Sequence, residues 1–241
     1  MNLSIIIPTL HERGSLPLLF DELLPIYKEL REKGFETELI IVDDNSNDGT
    51  QQFVKNFSIN SPFKIRLIER KERGLATAVI RGFKETSAEL LCVMDADLSH
   101  PPKLIPKLVE NSKSFDVVLP CRNMPGGGAE EWPIHRKLTS MLATSLVKFI
   151  GIKARDPLSG FFLIHKKVID GVKLNPIGYK ILLEILVKGK YKNFIEVPYI
   201  FRNRTVGNSK MSNIIIWQYL KHLWRLKKWQ DQQSKSRGPD V

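Results

Sequence analysis

The sequence predicts an α/β protein whose mostly parallel sheet is flanked by helices, followed by a C-terminal amphipathic helix. In the first half of the chain, short β-branched or leucine-rich runs alternate with segments of helical spacing, which is the pattern of right-handed βαβ units. Each run ends in polar or turn residues, and parallel sheets bind ligands beyond those carboxyl ends. A content of 42% hydrophobic and 26% charged residues is that of an ordinary folded chain.

The predicted elements follow in a simple order. In the first half we expect strands at 3–8, 38–43, 63–69, 90–95 and 116–120, and helices at 15–33, 48–57, 74–86 and 102–113. A loop at 122–132 then interrupts the alternation, because its consecutive glycines favour neither helix nor strand. Behind it we expect a helix at 133–150, a strand at 161–165, a helix at 179–188 and a strand at 194–201.

No internal repeat is visible, and residues 1–210 are interpreted as one domain, 211–229 as the amphipathic helix and 230–241 as a polar tail. No stretch approaches the roughly 20 apolar residues of a spanning helix, so the chain is not expected to cross a membrane. Cys92 and Cys121 lie in apolar runs without metal-ligand spacing. This pattern predicts reduced core cysteines, excludes a structural zinc site and fits a cytosolic compartment.

The formal net charge of +11 indicates anionic partners: phosphate-bearing substrates, an acidic membrane surface or nucleic acid. Nucleic-acid binding is disfavoured, because the chain lacks the interleaved aromatic and basic motifs that accompany it.

An acidic pair follows the fourth predicted strand. In DADLSHPP the apolar run leads into Asp95 and Asp97, and two prolines open the next helix. Two carboxylates this close repel each other unless a cation lies between them, and Mg²⁺ or Mn²⁺ prefers such oxygen ligands. The ion would neutralise a diphosphate leaving group. The alternative is a solvated turn in which Asp97 or Ser99 caps the helix.

A second acidic pair, Asp43 and Asp44, directly follows the second predicted strand. Carboxylates at this position can accept hydrogen bonds from a base or from ribose hydroxyls. A tight turn with a helix cap accounts for residues 45–48, but it does not explain two acids at the strand terminus.

The first strand ends at Pro8, with Thr9 and Glu12 expected to be exposed beside it. Basic residues at 70, 71 and 73 precede Gly74, where a helix begins. A helix N-terminus behind cationic side chains is a ready anion site.

Seven motifs in order carry a family resemblance that runs from Leu3 to about Lys210: IIIPTLHE, VDDNSNDGT, RGLATAVIRGF, DADLSHPP, RNMPGGG, RDPLSGFF and RTVGNSK. With them the chain resembles the inverting nucleotide-sugar glycosyltransferases of the GT-A fold, specifically the dolichol-phosphate mannose synthases. The resemblance implies a Rossmann-like GT-A domain that transfers mannose from GDP-mannose to a polyprenyl (dolichyl) phosphate, with Mg²⁺ or Mn²⁺.

The resemblance also implies roles for individual residues. The nucleotide-sugar site would be lined by Pro8, Thr9, Glu12, Asp43, Asp44, Gly74, Asp95, Ala96 and Asp97. The metal would lie among Asp95, Asp97 and Ser99, with Ser99 reaching it through water because some members have the longer glutamine there. Asp95, Asp97, Arg136 and Arg204 would be the catalytic residues.

The acceptor side follows from charge. A polyprenyl phosphate is largely a dianion near pH 7, so it needs positioning and charge compensation by arginines rather than a protein base. By the resemblance, the acceptor phosphate would bind Arg122, Arg136, Ser140, Arg204 and Lys210. Any one arginine could instead belong to a solvated helix face. Arg155, Asp156 and Ser159 could hold the sugar or form a structural turn.

The C-terminal segment 212–229 has helical spacing with two unlike faces. The apolar face carries Ile216, Trp217, Leu220, Leu223 and Trp224, and the polar face carries Gln218, Lys221, His222, Arg225 and Lys228. Tryptophan opposite lysine and arginine is typical of a helix lying on a membrane. The alternatives are a helix packed on the sheet or one covered by a small membrane-protein partner. We therefore expect a peripheral protein on the cytosolic face of a membrane.

Two other functions stay open. The same chemistry could transfer glucose from UDP-glucose, because no motif reads the stereochemistry of a sugar hydroxyl. A non-catalytic nucleotide-sugar-binding subunit of a membrane complex is the second alternative. The intact Asp95 and Asp97 disfavour it, because a binding subunit does not need a leaving-group metal site.

Overall fold

A seven-stranded sheet forms the centre of the protein, and a two-stranded sheet lies apart from it. The computed structural model describes residues 1–62, 64–130, 132–203 and 213–236. The strands are β1 (Asn2–Thr9), β2 (Glu36–Asp43), β3 (Lys64–Glu69), β4 (Leu90–Val93), β5 (Val117–Cys121), β6 (Gly128–Ala129), β7 (Phe162–His165), β8 (Phe194–Pro198) and β9 (Ile200–Phe201). The helices are α1 (Leu16–Glu32), α2 (Thr50–Ile59), α3 (Leu75–Lys84), α4 (Ile105–Asn111), α5 (Ile134–Lys148), α6 (Ile181–Lys188) and α7 (Asn213–Ser236).

The strand order of the large sheet is β3-β2-β1-β4-β7-β5-β8, and β6 pairs with β9. Strands β3, β2, β1 and β4 run parallel to one another, as do β5 and β8, whereas β7 runs antiparallel to both β4 and β5. The predicted mostly parallel sheet is confirmed. The reversed direction of β7 was not foreseen, because a four-residue apolar strand carries no signal of its orientation.

Hydrophobic cores lie on both faces of the sheet, and this explains the unbroken apolar runs of its central strands. On one face α1 packs Leu19, Phe20 and Leu23 against β1 and β2. On the other face α3 and α6 contribute Val79, Phe83 and Leu182. Cys92 and Cys121 are buried and free, as predicted, and burial raises the pKa of the Cys121 thiol to about 12.

Helix α7 packs on α5 and α6, and Leu223 and Leu226 join Val147 in a third apolar cluster. The hydroxyl of Tyr219 donates to the carbonyl oxygen of Ala143 at 2.5 Å. The assignment of His222 to the solvated face was wrong. It is fully buried, because it lies on the same side of the helix as Leu223 and Leu226.

The helix also continues to Ser236, seven residues beyond the predicted boundary at 229. Residues 230–236 are polar but compatible with a helix, and Lys227 pairs with Asp231 one turn away at 3.0 Å. Within the part of the chain that the structure describes, no helix is long and apolar enough to span a bilayer.

Candidate active site

Three neighbouring strands end together at one edge of the large sheet. The chain passes from β1 to β2 and β3 on one side, and later returns to β4 on the other side of β1. Open α/β sheets bind ligands at such a switch point, beyond the carboxyl ends of the strands. Since neighbouring strands lie about 4.8 Å apart, the ends of β2 and β4 are about 10 Å apart. Both predicted acidic pairs lie at this edge.

Asp43 at the end of β2 supports the site from within. Its fully buried carboxylate accepts hydrogen bonds from Thr9 Oγ1 at 2.9 Å, from the backbone N–H and hydroxyl of Ser46 at 2.9 and 2.6 Å, and from Gln51 Nε2 at 2.7 Å. These donors engage both oxygens, so Asp43 supports the end of β2, and its contact with a nucleotide stays a prediction. The prediction that Thr9 is exposed was wrong, because its hydroxyl is turned to Asp43 and the residue is buried.

Asp44 is held differently. Its Oδ2 accepts the Gly74 N–H at 2.6 Å. Its Oδ1 lies 3.4 Å from Arg70 Nε but has no hydrogen-bond partner among the described residues, although it is buried. Burial raises the pKa of Asp44, while the Gly74 hydrogen bond and the Arg70 charge act in the opposite direction. A buried oxygen with unused capacity at this edge is what a nucleoside could satisfy.

Gly74 begins α3 with a φ of 149°, and a Cβ atom there would lie 3.0 Å from Thr77 Oγ1. Glycine is therefore required for the contact with Asp44. Pro8 and Glu12 are both partly exposed beside the end of β1. The N–H of Glu12 donates to Thr50 Oγ1 at 3.0 Å and its carboxylate accepts from Ser15 Oγ at 2.5 Å, which orients the side chain.

The turn after β4 carries the second acidic pair. Asp97 is buried with Ala96, and its Oδ1 accepts from both the N–H and the hydroxyl of Ser99, at 3.1 and 2.5 Å. The side chain of Asp95 is 24% exposed. Leu98, between Asp97 and Ser99, has a φ of 64°, an uncommon conformation for a non-glycine residue that is often found at functional sites.

His100 packs behind this turn. It is buried, its ring stacks on Phe161 with centroids 5.2 Å apart, and its Nδ1 accepts the N–H of Asp95 at 3.0 Å. An accepting Nδ1 belongs to the neutral imidazole with the proton on Nε2. Burial lowers the pKa of His100, which is consistent with the neutral form. His100 thus fixes the backbone at Asp95.

The residues of this turn fit a divalent cation that needs only a few protein ligands. The described residues contain no group of three or more histidine, cysteine or acidic side chains that could hold a metal alone. Two carboxylates suit an ion such as Mg²⁺, which completes its shell with water and substrate phosphates. Ser99 is fully buried and donates its hydroxyl hydrogen to Asp97, so it supports that carboxylate. A contact between Ser99 and a metal stays a prediction.

A cavity of about 280 Å³ lies beside this edge, lined by Arg122, Asn123, Gly128, Ala129, Trp132, Ser140 and Met141. Arg122 forms a bidentate ion pair with the fully buried Asp156, with two N–O distances of 2.7 Å. Burial lowers the pKa of Arg122, but the hydrogen bonds and charge of Asp156 outweigh it and raise the pKa. Arg122 therefore lines the cavity as a paired group, and Asp156 is its structural partner.

Helix α5 contributes the other polar residues of this region. Ser140 lines the cavity, and the guanidinium of Arg136 lies over the ring of Trp132, 4.1 Å from its centroid. The indole N–H of Trp132 is buried without a hydrogen-bond partner among the described residues. The structure thus brings Arg122, Arg136 and Ser140 together. Arg204 and Lys210, predicted for the same site, lie outside the described residues.

Sequence reasoning missed Lys180 and Tyr199. Lys180 precedes α6, is half-buried, and donates from Nζ to the Leu158 carbonyl oxygen at 3.1 Å. Tyr199 is buried, with no hydrogen-bond partner for its hydroxyl among the described residues. Both lie within electrostatic reach of Asp95. Neither belongs to a motif with recognisable spacing, so only the fold reveals them.

Sequence comparison with known proteins assigns the chain to a family. The chain belongs to glycosyl transferase family 2, whose sequence model matches residues 4–172. It is 45% identical over 235 residues to the dolichol-phosphate mannosyltransferase of Pyrococcus furiosus, covering 95% of this chain but only 65% of that protein. It is 38% identical over 234 residues to the dolichol-phosphate mannosyltransferase of Saccharomyces cerevisiae, covering 92% of this chain and 86% of that one.

Solved structures show the same fold. Glucosyl-3-phosphoglycerate synthase from Mycobacterium tuberculosis, determined with Mn²⁺, UDP-glucose and phosphoglyceric acid, matches with a TM-score of 0.64 at 18% identity, covering 92% of this chain and 80% of that one. Mannosyl-3-phosphoglycerate synthase from Rubrobacter xylanophilus matches with a TM-score of 0.67 at 15% identity, covering 100% and 77%. These likenesses concern the fold alone, and they confirm the predicted GT-A architecture.

Proposed function

We propose that the protein transfers mannose from GDP-mannose to a polyprenyl phosphate such as dolichyl phosphate, with inversion and with Mg²⁺ or Mn²⁺. The observation that carries this proposal is that the acidic turn at Asp95 and the cavity at Arg122 lie at opposite ends of residues 156–160. A phosphate held on one side would meet a diphosphate held on the other. Relatives named dolichol-phosphate mannosyltransferase support the choice of sugar and lipid.

The donor side comprises Asp44, Asp95 and Asp97. The nucleoside would lie over Asp44, whose buried Oδ1 has no hydrogen-bond partner among the described residues, and the diphosphate would extend towards the end of β4. Asp95 and Asp97 would hold the divalent ion, which neutralises the leaving diphosphate when it is bound. Ser99 and His100 keep these two carboxylates in place by hydrogen bonds to Asp97 and to the backbone of Asp95.

The acceptor side comprises the cavity lined by Arg122 and Ser140 together with Arg136. A phosphate dianion needs no general base to attack the anomeric carbon, so this side has to orient it and compensate its charge. Arg136 offers a guanidinium fork for that purpose, and Ser140 a hydroxyl. Arg122 already donates two hydrogens to Asp156, so its main contribution is to shape the cavity and place positive charge beside it.

We also propose that the protein attaches peripherally to the cytosolic face of a membrane. Two adjacent helices expose large apolar side chains, namely Ile134, Leu138, Met141, Leu142, Leu146, Phe149, Ile216, Trp217, Leu220 and Trp224. Exposed apolar surface of this extent marks an interaction site. Lys221 and Lys228 stack on Trp217 and Trp224 at 5.2 and 5.4 Å, which suits an interface with anionic headgroups. Met141 also lines the cavity, so a lipid phosphate could enter while its tail stays in the bilayer.

The catalytic proposal is tested by incubating the protein with GDP-mannose or UDP-glucose, Mn²⁺ and dolichyl phosphate, and identifying the extracted lipid by mass spectrometry. We expect a mannosyl phospholipid from GDP-mannose and no product in EDTA. If a glucosyl lipid forms from UDP-glucose and no product forms from GDP-mannose, the transferred sugar is glucose rather than mannose. The absence of any lipid product would refute the proposal.

The membrane proposal is tested by sedimentation with anionic liposomes. We expect the double variant Trp217→Ser/Trp224→Ser to sediment less than wild type while binding GDP normally, and high salt to weaken sedimentation of the wild type. Leu18→Ser/Ile59→Ser is the matched control, because Leu18 and Ile59 are also exposed but lie on α1 and α2. A wild type that ignores liposomes at low salt would contradict attachment through these helices.

A further inference from the structure

Residues 156–160 form a short bridge between the two sides of the cleft. Asp156 pairs with Arg122 on the acceptor side at 2.7 Å. At the other end, a Cβ atom on Gly160 would lie 3.2 Å from Asp95 Oδ2, so the backbone there is packed against the donor side. The carbonyl oxygen of Leu158, in the middle, accepts a hydrogen bond from Lys180 Nζ at 3.1 Å.

This arrangement places the ammonium of Lys180 between the two sides. Leu158 is two residues from each end of the bridge, and two residues of extended chain reach at most about 7 Å. In agreement, Lys180 lies within electrostatic reach of Arg122, Asp156 and Asp95. The residue is also half-buried rather than fully buried.

Lys180 differs from Arg122 and Arg70 because its hydrogen-bond partner is a neutral carbonyl rather than a carboxylate. Arg122 is neutralised by Asp156, and Arg70 by Asp44. The described residues show no ion pair for Lys180, whose hydrogen-bond acceptor is a neutral carbonyl. An ammonium carries three hydrogens, so further donors remain for a ligand. Burial and the charge of Arg122 lower the pKa of Lys180, while the charges of Asp156 and Asp95 act in the opposite direction.

We propose that Lys180 is a positioning residue that donates hydrogen bonds to both the donor diphosphate and the acceptor phosphate, and so allows the two anions to be bound at once. The proposal rests on the proposed function, and it adds a residue to the site at the place where the two substrates meet. Two anionic groups brought together in a cleft of low dielectric repel each other strongly. A shared cation attracts each anion on its own, and it attracts them more strongly once both are bound and water is excluded from the cleft.

The test compares binding of each ligand alone with binding of both. GDP and farnesyl phosphate serve as probes, with Mn²⁺ present, and isothermal titration calorimetry gives the affinity of each in the absence and presence of the other. We expect Lys180→Met to bind either probe alone about threefold more weakly than wild type, but to bind the second probe about tenfold more weakly once the first is in place. The kcat/KM of transfer should fall about a hundredfold.

Lys180→Arg should restore much of the coupling between the two probes, because the charge is kept. Lys190→Met is the matched control, since Lys190 also donates to a neutral carbonyl, that of Asp170 at 2.9 Å, but is exposed. It should match wild type in every measurement.

The outcomes separate this inference from the proposed function. If wild type transfers mannose and binds both probes, but Lys180→Met shows wild-type coupling, the inference is overturned and the function stands. If Lys180→Met lowers the affinity for each probe by the same factor whether or not the other probe is bound, Lys180 acts as an ordinary binding residue and the inference is also wrong. If wild type binds neither probe, both fail together.

Discussion

The acidic turn on the donor side and the cavity wall on the acceptor side are fixed over very different distances along the chain. In the turn, Asp97 accepts hydrogen bonds from the N–H and the hydroxyl of Ser99, two residues away. At the cavity, Arg122 pairs with Asp156 across 34 residues, and the same separation divides Asp43 from Thr9 at the end of β2. The turn after β4 is thus organised locally, whereas the cavity wall and the end of β2 depend on the completed fold.

The comparison also separates residues expected to bind a ligand from residues that support the site. Asp43 and Asp44 are neighbours in the chain, yet protein donors engage both oxygens of the first, while the second has a buried oxygen with no hydrogen-bond partner among the described residues. Arg122 and Arg136 form a similar contrast, because Asp156 engages the first and an aromatic ring lies beneath the second. Substitutions can test each pair.

The largest effect is expected on the donor side. Asp95→Ala and Asp97→Ala should each reduce transfer at least about a thousandfold, because an unneutralised diphosphate is a poor leaving group. Asp95→Ala should unfold at nearly the wild-type temperature, since its side chain is partly exposed. Kinetic assays with and without EDTA, together with thermal unfolding, measure both. Full activity in EDTA would remove the metal from the mechanism.

Substitution of the two arginines should affect different properties, namely stability for Arg122 and acceptor binding for Arg136. Arg122→Ala leaves the fully buried Asp156 without its partner, so we expect the free energy of unfolding to fall by about 3–5 kcal/mol. Arg136→Ala should change it by less than about 1 kcal/mol but raise the KM for the lipid acceptor, with partial rescue by lysine, which lacks the planar fork. Urea unfolding and acceptor kinetics distinguish them. Weakened GDP binding in Arg136→Ala would assign this arginine to the donor.

The neighbouring aspartates provide a third test. In Asp43→Asn, an amide NH₂ group would replace one carboxylate oxygen and face groups that donate hydrogen bonds to it in the wild type. We therefore expect a loss of about 2 kcal/mol in the free energy of unfolding. Asp44→Asn keeps an oxygen for the Gly74 N–H but removes the charge that faces the buried Arg70, so we expect a loss of about 1 kcal/mol in the free energy of unfolding together with GDP binding weakened several-fold. Unchanged GDP binding in Asp44→Asn would show that Asp44 is a supporting residue like Asp43.

The smallest expected effect concerns Gly160→Ala. The added methyl group would lie 3.2 Å from Asp95 Oδ2 and 3.4 Å from His100 Cε1, so the carboxylate has to shift by a few tenths of an ångström. We expect a several-fold higher Mn²⁺ concentration for half-maximal transfer and little change in the KM for the acceptor. An unaltered Mn²⁺ dependence would show that Asp95 tolerates this displacement.

The same difference in sequence distance explains what could be predicted. The alternation of apolar runs and helical spacing placed the main strands and helices within a few residues, and the acidic strand ends identified the edge that carries the site. The supporting role of Asp43 depends on Thr9 and Gln51, which come from other elements. Lys180 could not be found, because its proximity to Asp95 requires β4, residues 156–160 and α6 to be assembled first.

Helix α7 has a further consequence through the backbone that precedes α6. His222 on α7 accepts the N–H of Ile177 at 2.8 Å, and Glu184 on α6 accepts the N–H of Asn175 at 3.0 Å. Lys180 follows three residues after Ile177, so the segment that presents it is tied to the last helix. A truncation before residue 213 would therefore remove the hydrogen bond from Ile177 to His222, which helps to position the segment that carries Lys180. Such a protein should turn over even water-soluble acceptors more slowly than the longer chain does.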